Sequence, residues 1–226
     1  MATIAENLQA VKARIGRAAR AAGREPAAVT LLAVSKTHPV ARIAQACDAG
    51  QLEFGENYVQ EALEKIAALP RLEWHLIGPL QSNKTRPAAE RFAWVQTVQS
   101  EKIARRLSEQ RPRSLPPLNV LIQVNASGEA SKSGVSIEEV AALARVVDAL
   151  PGLRLRGLMA IPESGAARSR YAAMRTLFEE LQKRFDIDTL SMGMSDDLEL
   201  AIAEGATMVR IGTAIFGARD KEKATP

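Results

Sequence analysis

The sequence predicts a single (β/α)8 barrel of the TIM type, an α/β fold in which a helix follows each parallel strand. Short apolar runs alternate along the chain with stretches of helical periodicity. Several of the runs are continuously apolar, which is typical of parallel strands covered on both faces. The length of 226 residues suits a compact barrel. We therefore expect one domain over residues 1–226, with a doubly wound open sheet as the alternative.

The strands are predicted from the apolar runs. In chain order these are VTLLAVS (29–35), LEF (52–54), EWHLIG (73–78), AWVQTV (93–98), LNVLIQVN (118–125), LRLRGLMAI (153–161), DTLSMG (188–193) and TMVRIG (207–212). Amphipathic stretches separate them, for example ENYVQEALEKIAAL (56–69) and SIEEVAALARVVDAL (136–150). The second stretch opens with Ser136 and Glu139 at the spacing of a capping box.

The two ends of the chain complement each other in the predicted barrel. Few residues follow the last strand, too few for a long eighth helix. An amphipathic helix with its apolar stripe at helical spacing opens the chain, and we expect it to complete the outer ring: Ile4, Leu8, Val11 and Ile15. Three glycines stand where a left-handed residue ends a helix: Gly23, Gly50 and Gly205.

Charge and composition restrict the class of partner. The net charge is +4, and much of the basic excess lies on the first helix, away from its apolar stripe. A solvated helix face explains it, and with 4% aromatic residues a nucleic-acid partner is not predicted. The lone Cys47 cannot form an internal disulfide, and neither a membrane span nor a signal core is evident. We expect a cytoplasmic monomer without a membrane partner.

Candidate functional residues lie where the strands end, because barrel sites form at the C-terminal strand ends. Lys36 follows the first strand and Asn57 the second, His75 lies in the third, Met159 ends the sixth, and Arg210 is in the eighth. A strand-end lysine can react with a carbonyl when its amine is neutral. Alternatives stay open: Asn57 could cap a helix, and His75 and Met159 could be core residues. No spacing of metal ligands is present, so no metal is predicted.

The last two strand ends resemble an anion site. Gly193 to Ser195 follow the seventh strand, and Gly212 with Thr213 follow the eighth, where barrels commonly bind phosphate. The alternative is a set of ordinary turn glycines and helix caps. Asp196 and Asp197 are unfavourable for an anion unless their side chains turn outward.

A reactive lysine, a phosphate site and an arginine together suit pyridoxal phosphate. The lysine forms a Schiff base with its aldehyde, and a protein group must meet its ring nitrogen. A guanidinium such as Arg210 only donates, so it would leave the ring nitrogen unprotonated and the ring a poor electron sink. A Schiff-base aldolase that binds a sugar phosphate without a cofactor is an alternative.

Specific motifs then indicate a family. From about residue 4 to residue 217 the chain resembles the pyridoxal phosphate homeostasis proteins, in the segments AVSKTHP, FGENYVQEALEK, WHLIGPLQSNK, VNASGEASKSGV, RGLMAIP and LSMGMSDDLELAIAEGATMVRIGTAIFG. The resemblance implies a barrel like the N-terminal domain of alanine racemase, with pyridoxal 5′-phosphate as cofactor. It implies a role in vitamin B6 balance without robust turnover. Under this hypothesis the partners we expect are apo-enzymes that need the cofactor.

The resemblance also implies roles for residues. Lys36 is the Schiff-base lysine and Arg210 faces the ring nitrogen. The phosphate is held by the backbone near Met194 and by Ser195, Gly212 and Thr213. The pocket is lined by Asn57, His75 and Met159.

An amino-acid racemase of the alanine racemase type is the alternative function. Two-sided proton transfer needs a second acid or base, which in those enzymes is a tyrosine from a separate domain of the partner subunit. The tyrosines of this chain, Tyr58 and Tyr171, lie in predicted helices. Lys132, in the loop after the fifth strand, could meet an anionic ligand or be a solvated loop lysine.

Overall fold

Over the residues that the structure describes, 2–127, 133–162, 165 and 167–217, eight parallel strands close into a barrel in chain order in this computed structural model. Pairing of the last strand with the first completes the ring. The strands are β1 Thr30–Val34, β2 Glu53–Glu56, β3 Glu73–Leu76, β4 Trp94–Val98, β5 Leu118–Val124, β6 Leu153–Ala160, β7 Thr189–Ser191 and β8 Met208–Ile211. The predicted barrel is confirmed, and the open-sheet alternative is wrong. That residues 1–226 form a single domain stays a prediction.

Helices alternate with the strands and cover the outside of the barrel. They are α1 Ile4–Ala21, α2 Val40–Asp48, α3 Val59–Ala68, α4 Thr85–Arg91, α5 Glu101–Gln110, α6 Ile137–Asp148, α7 Arg168–Gln182, α8 Leu198–Ala203 and α9 Thr213–Phe216. Short 3-10 turns occur at Pro26–Ala28 and Ser82–Lys84. Among the described residues, no helix combines the length and the apolar character needed to cross a bilayer.

The N-terminal helix completes the outer ring, as the sequence predicts. α1 packs against α2, α8 and the short α9, and its apolar stripe is buried. The Asn7 side chain donates to the Ile215 carbonyl at 3.0 Å, and Arg14 forms an ion pair of 2.9 Å with Glu199. These contacts tie the start of the chain to the helices after β7 and β8.

The helix ends of the structure agree with those predicted from the sequence, except at the start of α3. The backbone N–H of Ser136 donates to Glu139 Oε2 at 2.9 Å, which is the Glu139 half of the predicted capping box. The three expected glycines have left-handed φ values of 69°, 83° and 90°: Gly23, Gly50 and Gly205. The helix predicted over 56–69 begins at Val59, because Glu56 completes β2. Its N-cap is Tyr58, so the alternative of a capping role for Asn57 is wrong.

Candidate active site at the C-terminal mouth

A cavity of about 250 Å³ opens at the C-terminal end of the barrel. Its described lining comes from the ends of β1, β2, β3, β6, β7 and β8. Seven of the nine predicted site residues line it: Lys36, Asn57, Met194, Ser195, Arg210, Gly212 and Thr213. The fold thus brings together groups that are far apart in the sequence.

Lys36 lies in a sharp turn at the end of β1. Thr37, the next residue, has φ 67°, a left-handed conformation that a β-branched side chain rarely adopts. Before it, the Ser35 N–H donates to the Gly55 carbonyl at 3.0 Å and continues the pairing with β2. Such strain persists only where surrounding contacts hold the backbone.

Those contacts come from a group of three buried residues and the partly exposed Glu61, which we call the Lys65 cluster: Ser35, Glu56, Glu61 and Lys65. Lys65 Nζ donates to the Ser35 carbonyl at 2.8 Å and to one carboxylate oxygen each of Glu56 and Glu61 at 2.7 Å. Glu61 Oε1 also accepts the Thr37 N–H at 2.6 Å. The backbone groups on both sides of Lys36 are therefore held by charged side chains.

Sequence reasoning missed the Lys65 cluster. A signal was present, because Lys65 lies on the buried side of α3 with Ala62 and Ile66, and a buried lysine needs a partner. Glu56 is fully buried, and burial raises the pKa of its carboxyl although Lys65 and Ser35 stabilise the charge. The cluster is thus sensitive to the loss of any of its members.

Arg210 lies at the base of the cavity and is 5% exposed. Its Nη1 donates to Ser191 Oγ and its Nη2 to the Ala160 carbonyl, both at 2.8 Å. Burial lowers the pKa of Arg210 to about 10, so the guanidinium stays protonated at neutral pH. Arg210 therefore offers the cavity hydrogen-bond donors and no acceptor.

The turn after β7 turns one of its two aspartates away from the cavity. Asp197 accepts the Met194 N–H and the Tyr171 hydroxyl, each at 2.5 Å. Gly193 permits this turn with φ 95°, and a Cβ there would lie 2.5 Å from the Ala201 Cβ. Asp196 is exposed and does line the cavity. Asp197 therefore lies outside the described lining of the cavity, whereas Asp196 is part of it.

The turn after β8 passes close to β1. Gly212 precedes α9, and a Cβ on it would lie 3.2 Å from the Val34 carbonyl oxygen. The missing side chain therefore lets the turn pack closely on β1, and Gly212 lines the cavity together with Lys36 and Thr213.

Two predicted residues lie deeper in the barrel, outside the described lining of the cavity. His75 is fully buried, and its ring stacks on Trp94 with the centroids 5.0 Å apart. Met159 packs with Trp94 and Leu121 in an apolar cluster. Direct contact of His75 and Met159 with a ligand stays a prediction.

Other residues of the lining were not singled out from the sequence. His38 lines the cavity, and its ring stacks on Phe216 at 4.9 Å. Its position two residues after Lys36 was the available signal. Ile77 and Ile161 supply apolar surface. Lys132 lies outside the described residues.

Three side chains of the metal-ligating types lie close together, apart from the cavity lining. Within the described part of the chain, Glu53, Glu73 and His75 place one ligand atom each within 4.8 Å of one another. Burial and the charge of Glu73 raise the pKa of Glu53 to about 7. The sequence shows no such spacing, because β2 and β3 supply the ligands separately.

The fold and the cavity define a barrel of the alanine racemase N-terminal class. The family profile described as "Alanine racemase, N-terminal domain" matches residues 6–220. The alanine racemase of Corynebacterium glutamicum has a TM-score of 0.72 at 17% identity, covering 96% of this chain and 63% of its own. At that identity the likeness concerns the fold alone.

Closer relatives narrow the assignment. A pyridoxal phosphate homeostasis protein of Pseudomonas aeruginosa is 63% identical over 227 residues, covering 97% of either chain. The structure of PipY from Synechococcus elongatus with pyridoxal phosphate bound has a TM-score of 0.82 at 38% identity, and covers 95% of this chain and 100% of its own. This chain belongs to the pyridoxal phosphate homeostasis protein family.

Proposed function

We propose that this protein binds pyridoxal 5′-phosphate as a Schiff base on Lys36 and helps to keep the cofactor in balance in the cell. The observation that carries the proposal is one cavity lined by Lys36, Arg210 and the turns after β7 and β8. The cofactor-bound form of PipY supports it.

The donor set fits the three ends of the cofactor. The neutral amine of Lys36 attacks the aldehyde carbon, a C=N bond forms, and the carbonyl oxygen leaves as water with two protons. Ser195 and Thr213 offer hydroxyl donors to the phosphate beside Gly212, and Arg210 donates to the ring nitrogen.

Storage suits this site better than racemisation. A donor-only partner leaves the ring nitrogen unprotonated and the cofactor a poor electron sink. Neither Tyr58 nor Tyr171 is part of the described cavity lining, and the Tyr171 hydroxyl is bound to Asp197.

We further propose that the protein is a cytoplasmic single-domain monomer that hands the cofactor to apo-enzymes.

A spectroscopic titration tests the binding role. Pyridoxal phosphate is added to wild type, Lys36→Met and the control Lys102→Met, whose lysine is exposed on α5. We expect a Schiff-base absorption band in wild type and the control, and at least a roughly tenfold loss of affinity in Lys36→Met, about 1.4 kcal/mol or more. Equal bands and affinities in all three proteins would contradict the role of Lys36.

The transfer of the cofactor to apo-enzymes is tested separately. Loaded protein is mixed with an apo-enzyme that needs pyridoxal phosphate, and reactivation is compared with that given by free cofactor supplied at the measured release rate. We expect faster reactivation by the loaded protein. An identical time course would refute transfer and leave storage as the function.

A further inference from the structure

A line of hydrogen bonds crosses the barrel interior beneath the cavity. Arg210 Nη1 donates to Ser191 Oγ at 2.8 Å, and Ser191 Oγ donates to Gln96 Oε1 at 2.8 Å. Gln96 Nε2 lies 3.0 Å from His75 Nδ1, and His75 Nε2 lies 3.3 Å from Glu73 Oε1. The line joins β8, β7, β4 and β3, and it ends at the acidic group of Glu53 and Glu73 opposite the cavity.

The arginine end sets the direction of every bond. A guanidinium donates only, so Ser191 Oγ accepts from Arg210 and must use its own hydrogen elsewhere. Gln96 Oε1 is the acceptor within reach, and this places the Gln96 amide nitrogen against the ring of His75. His75 Nδ1 then accepts, and in the neutral ring the proton lies on Nε2.

The opposite end gives the same direction independently. Glu73 Oε1 accepts from Trp94 Nε1 at 2.6 Å, and a carboxylate facing His75 Nε2 needs a donor there. A reversed Gln96 amide would set its oxygen beside the Met208 sulfur, now 3.1 Å from Nε2. It would also set a bare ring nitrogen of His75 against a carboxylate. Burial lowers the pKa of His75, which favours the neutral ring.

We propose that Ser191, Gln96 and His75 form a one-way hydrogen-bond chain that holds Arg210 in the orientation in which it meets the ring nitrogen of the cofactor. Ser191 and Gln96 are therefore positioning residues, and their role towards the cofactor rests on the proposed function. Ser191 fixes one terminal nitrogen of the guanidinium and the Ala160 carbonyl fixes the other. Arg210 held in this way is part of the cavity lining.

The hydrogen-bond chain also determines whether the acidic group opposite the cavity can bind a metal ion. With its proton on Nε2, His75 donates to Glu73 and has no lone pair there for a metal ion. Glu53, Glu73 and His75 are then the end of the hydrogen-bond chain rather than a metal centre.

The tautomer of His75 is the direct test. The protein has two histidines, His38 and His75, so protein labelled with 15N-histidine gives two ring systems in a long-range 15N–1H correlation spectrum. The variant His38→Gln identifies which ring system belongs to His75. We expect His75 in cofactor-free wild type to be neutral with its proton on Nε2. A proton on Nδ1 alone, or a shift of the His75 nitrogens on titration with Zn²⁺, would overturn the proposal.

Variants connect the tautomer to the cofactor. In Gln96→Glu the new carboxylate accepts from both neighbours, so we expect His75 to gain a proton on Nδ1. In Gln96→Leu and Ser191→Ala we expect a shifted Schiff-base band and a loss of cofactor affinity of roughly tenfold, while Thr189→Val, a hydroxyl loss on the same strand outside the chain, keeps both. Unchanged bands and affinities in Gln96→Leu and Ser191→Ala would refute the positioning role.

The two proposals fail in different ways. If wild type forms no band with pyridoxal phosphate while His75 carries its proton on Nε2, the proposed function is wrong and the chain itself stands. If wild type forms the band but His75 is protonated on Nδ1 alone, the one-way chain is wrong and the proposed function stands.

Discussion

Replacing Lys65 by methionine tests how the turn that carries Lys36 is held. Methionine keeps an unbranched apolar stem and removes the charge and all the donors. Lys65 is 4% exposed, and its loss leaves fully buried Glu56 without its counter-ion. The Ser35 carbonyl loses its 2.8 Å hydrogen bond, while Glu61, 27% exposed, can turn to water.

The cost of Lys65→Met follows from these contacts. Breaking a buried ion pair by removing one partner costs about 3–5 kcal/mol. Because water can replace Lys65 at Glu61, we expect the lower end, about 3 kcal/mol. For a chain of this size that lowers the Tm by roughly 6–12 °C.

The cost should depend on pH. Burial already raises the pKa of Glu56, and without Lys65 it rises further. The folded variant therefore binds a proton at a higher pH than the unfolded chain does. Its deficit in the free energy of unfolding should be largest near pH 8 and shrink as the pH falls and Glu56 becomes neutral.

Urea unfolding at two pH values measures these free energies. Wild type, Lys65→Met, Glu56→Gln and the double variant form a cycle, in which we expect the double variant to be more stable than the sum of the single costs by about 2 kcal/mol. The control Lys183→Met removes an exposed pair with Glu180 and should change the stability by less than about 0.5 kcal/mol. A Lys65→Met cost below about 1 kcal/mol, or strict additivity in the cycle, would refute the reasoning.

Three further predictions concern other parts of the molecule. Gly193→Ala should cost more than about 3 kcal/mol in urea unfolding, because a Cβ at φ 95° would lie 2.5 Å from the Ala201 Cβ. The control Gly23→Ala, with φ 69° and open space around it, should cost about 1–2 kcal/mol. Equal costs would contradict this account of the turn after β7. Glu53 has its pKa raised to about 7 by burial and by Glu73, so wild type should lose stability as the pH rises from about 4.3 to 7. Glu53→Gln should gain about 1–2 kcal/mol over wild type between pH 4 and pH 8, a value discounted because a third of the side chain is exposed, and parallel pH curves would contradict it. Loaded protein incubated with L-alanine in deuterated water should leave the optical activity unchanged, and rapid stoichiometric deuterium incorporation at Cα would restore the racemase alternative.

Hydrophobic periodicity predicts the scaffold because the apolar pattern within each segment identifies that segment as a strand or a helix. The continuous run at 29–35 contains β1, and the stripe from Ile4 to Ile15 gives α1 its buried face. The C-terminal ends of parallel strands share one mouth, so the sequence alone places Lys36 and Arg210 in one cavity.

Contacts across the barrel could not be predicted in this way. Gln96 and Ser191 are 95 residues apart, and neither is unusual in its own strand. His75 was expected at the cavity, but its depth within the barrel depends on the register of β3, which a local pattern does not give. The start of α3 was misplaced because Glu56 suits a helix start as well as a strand end with a buried partner.

The most direct test of the central claim is the position of the covalent bond. Wild-type protein loaded with pyridoxal phosphate is reduced with borohydride, digested, and mapped by mass spectrometry. We expect one reduced adduct, on Lys36, together with loss of the Schiff-base band. A protein that binds the cofactor but gives no adduct on Lys36 would contradict the account at its centre.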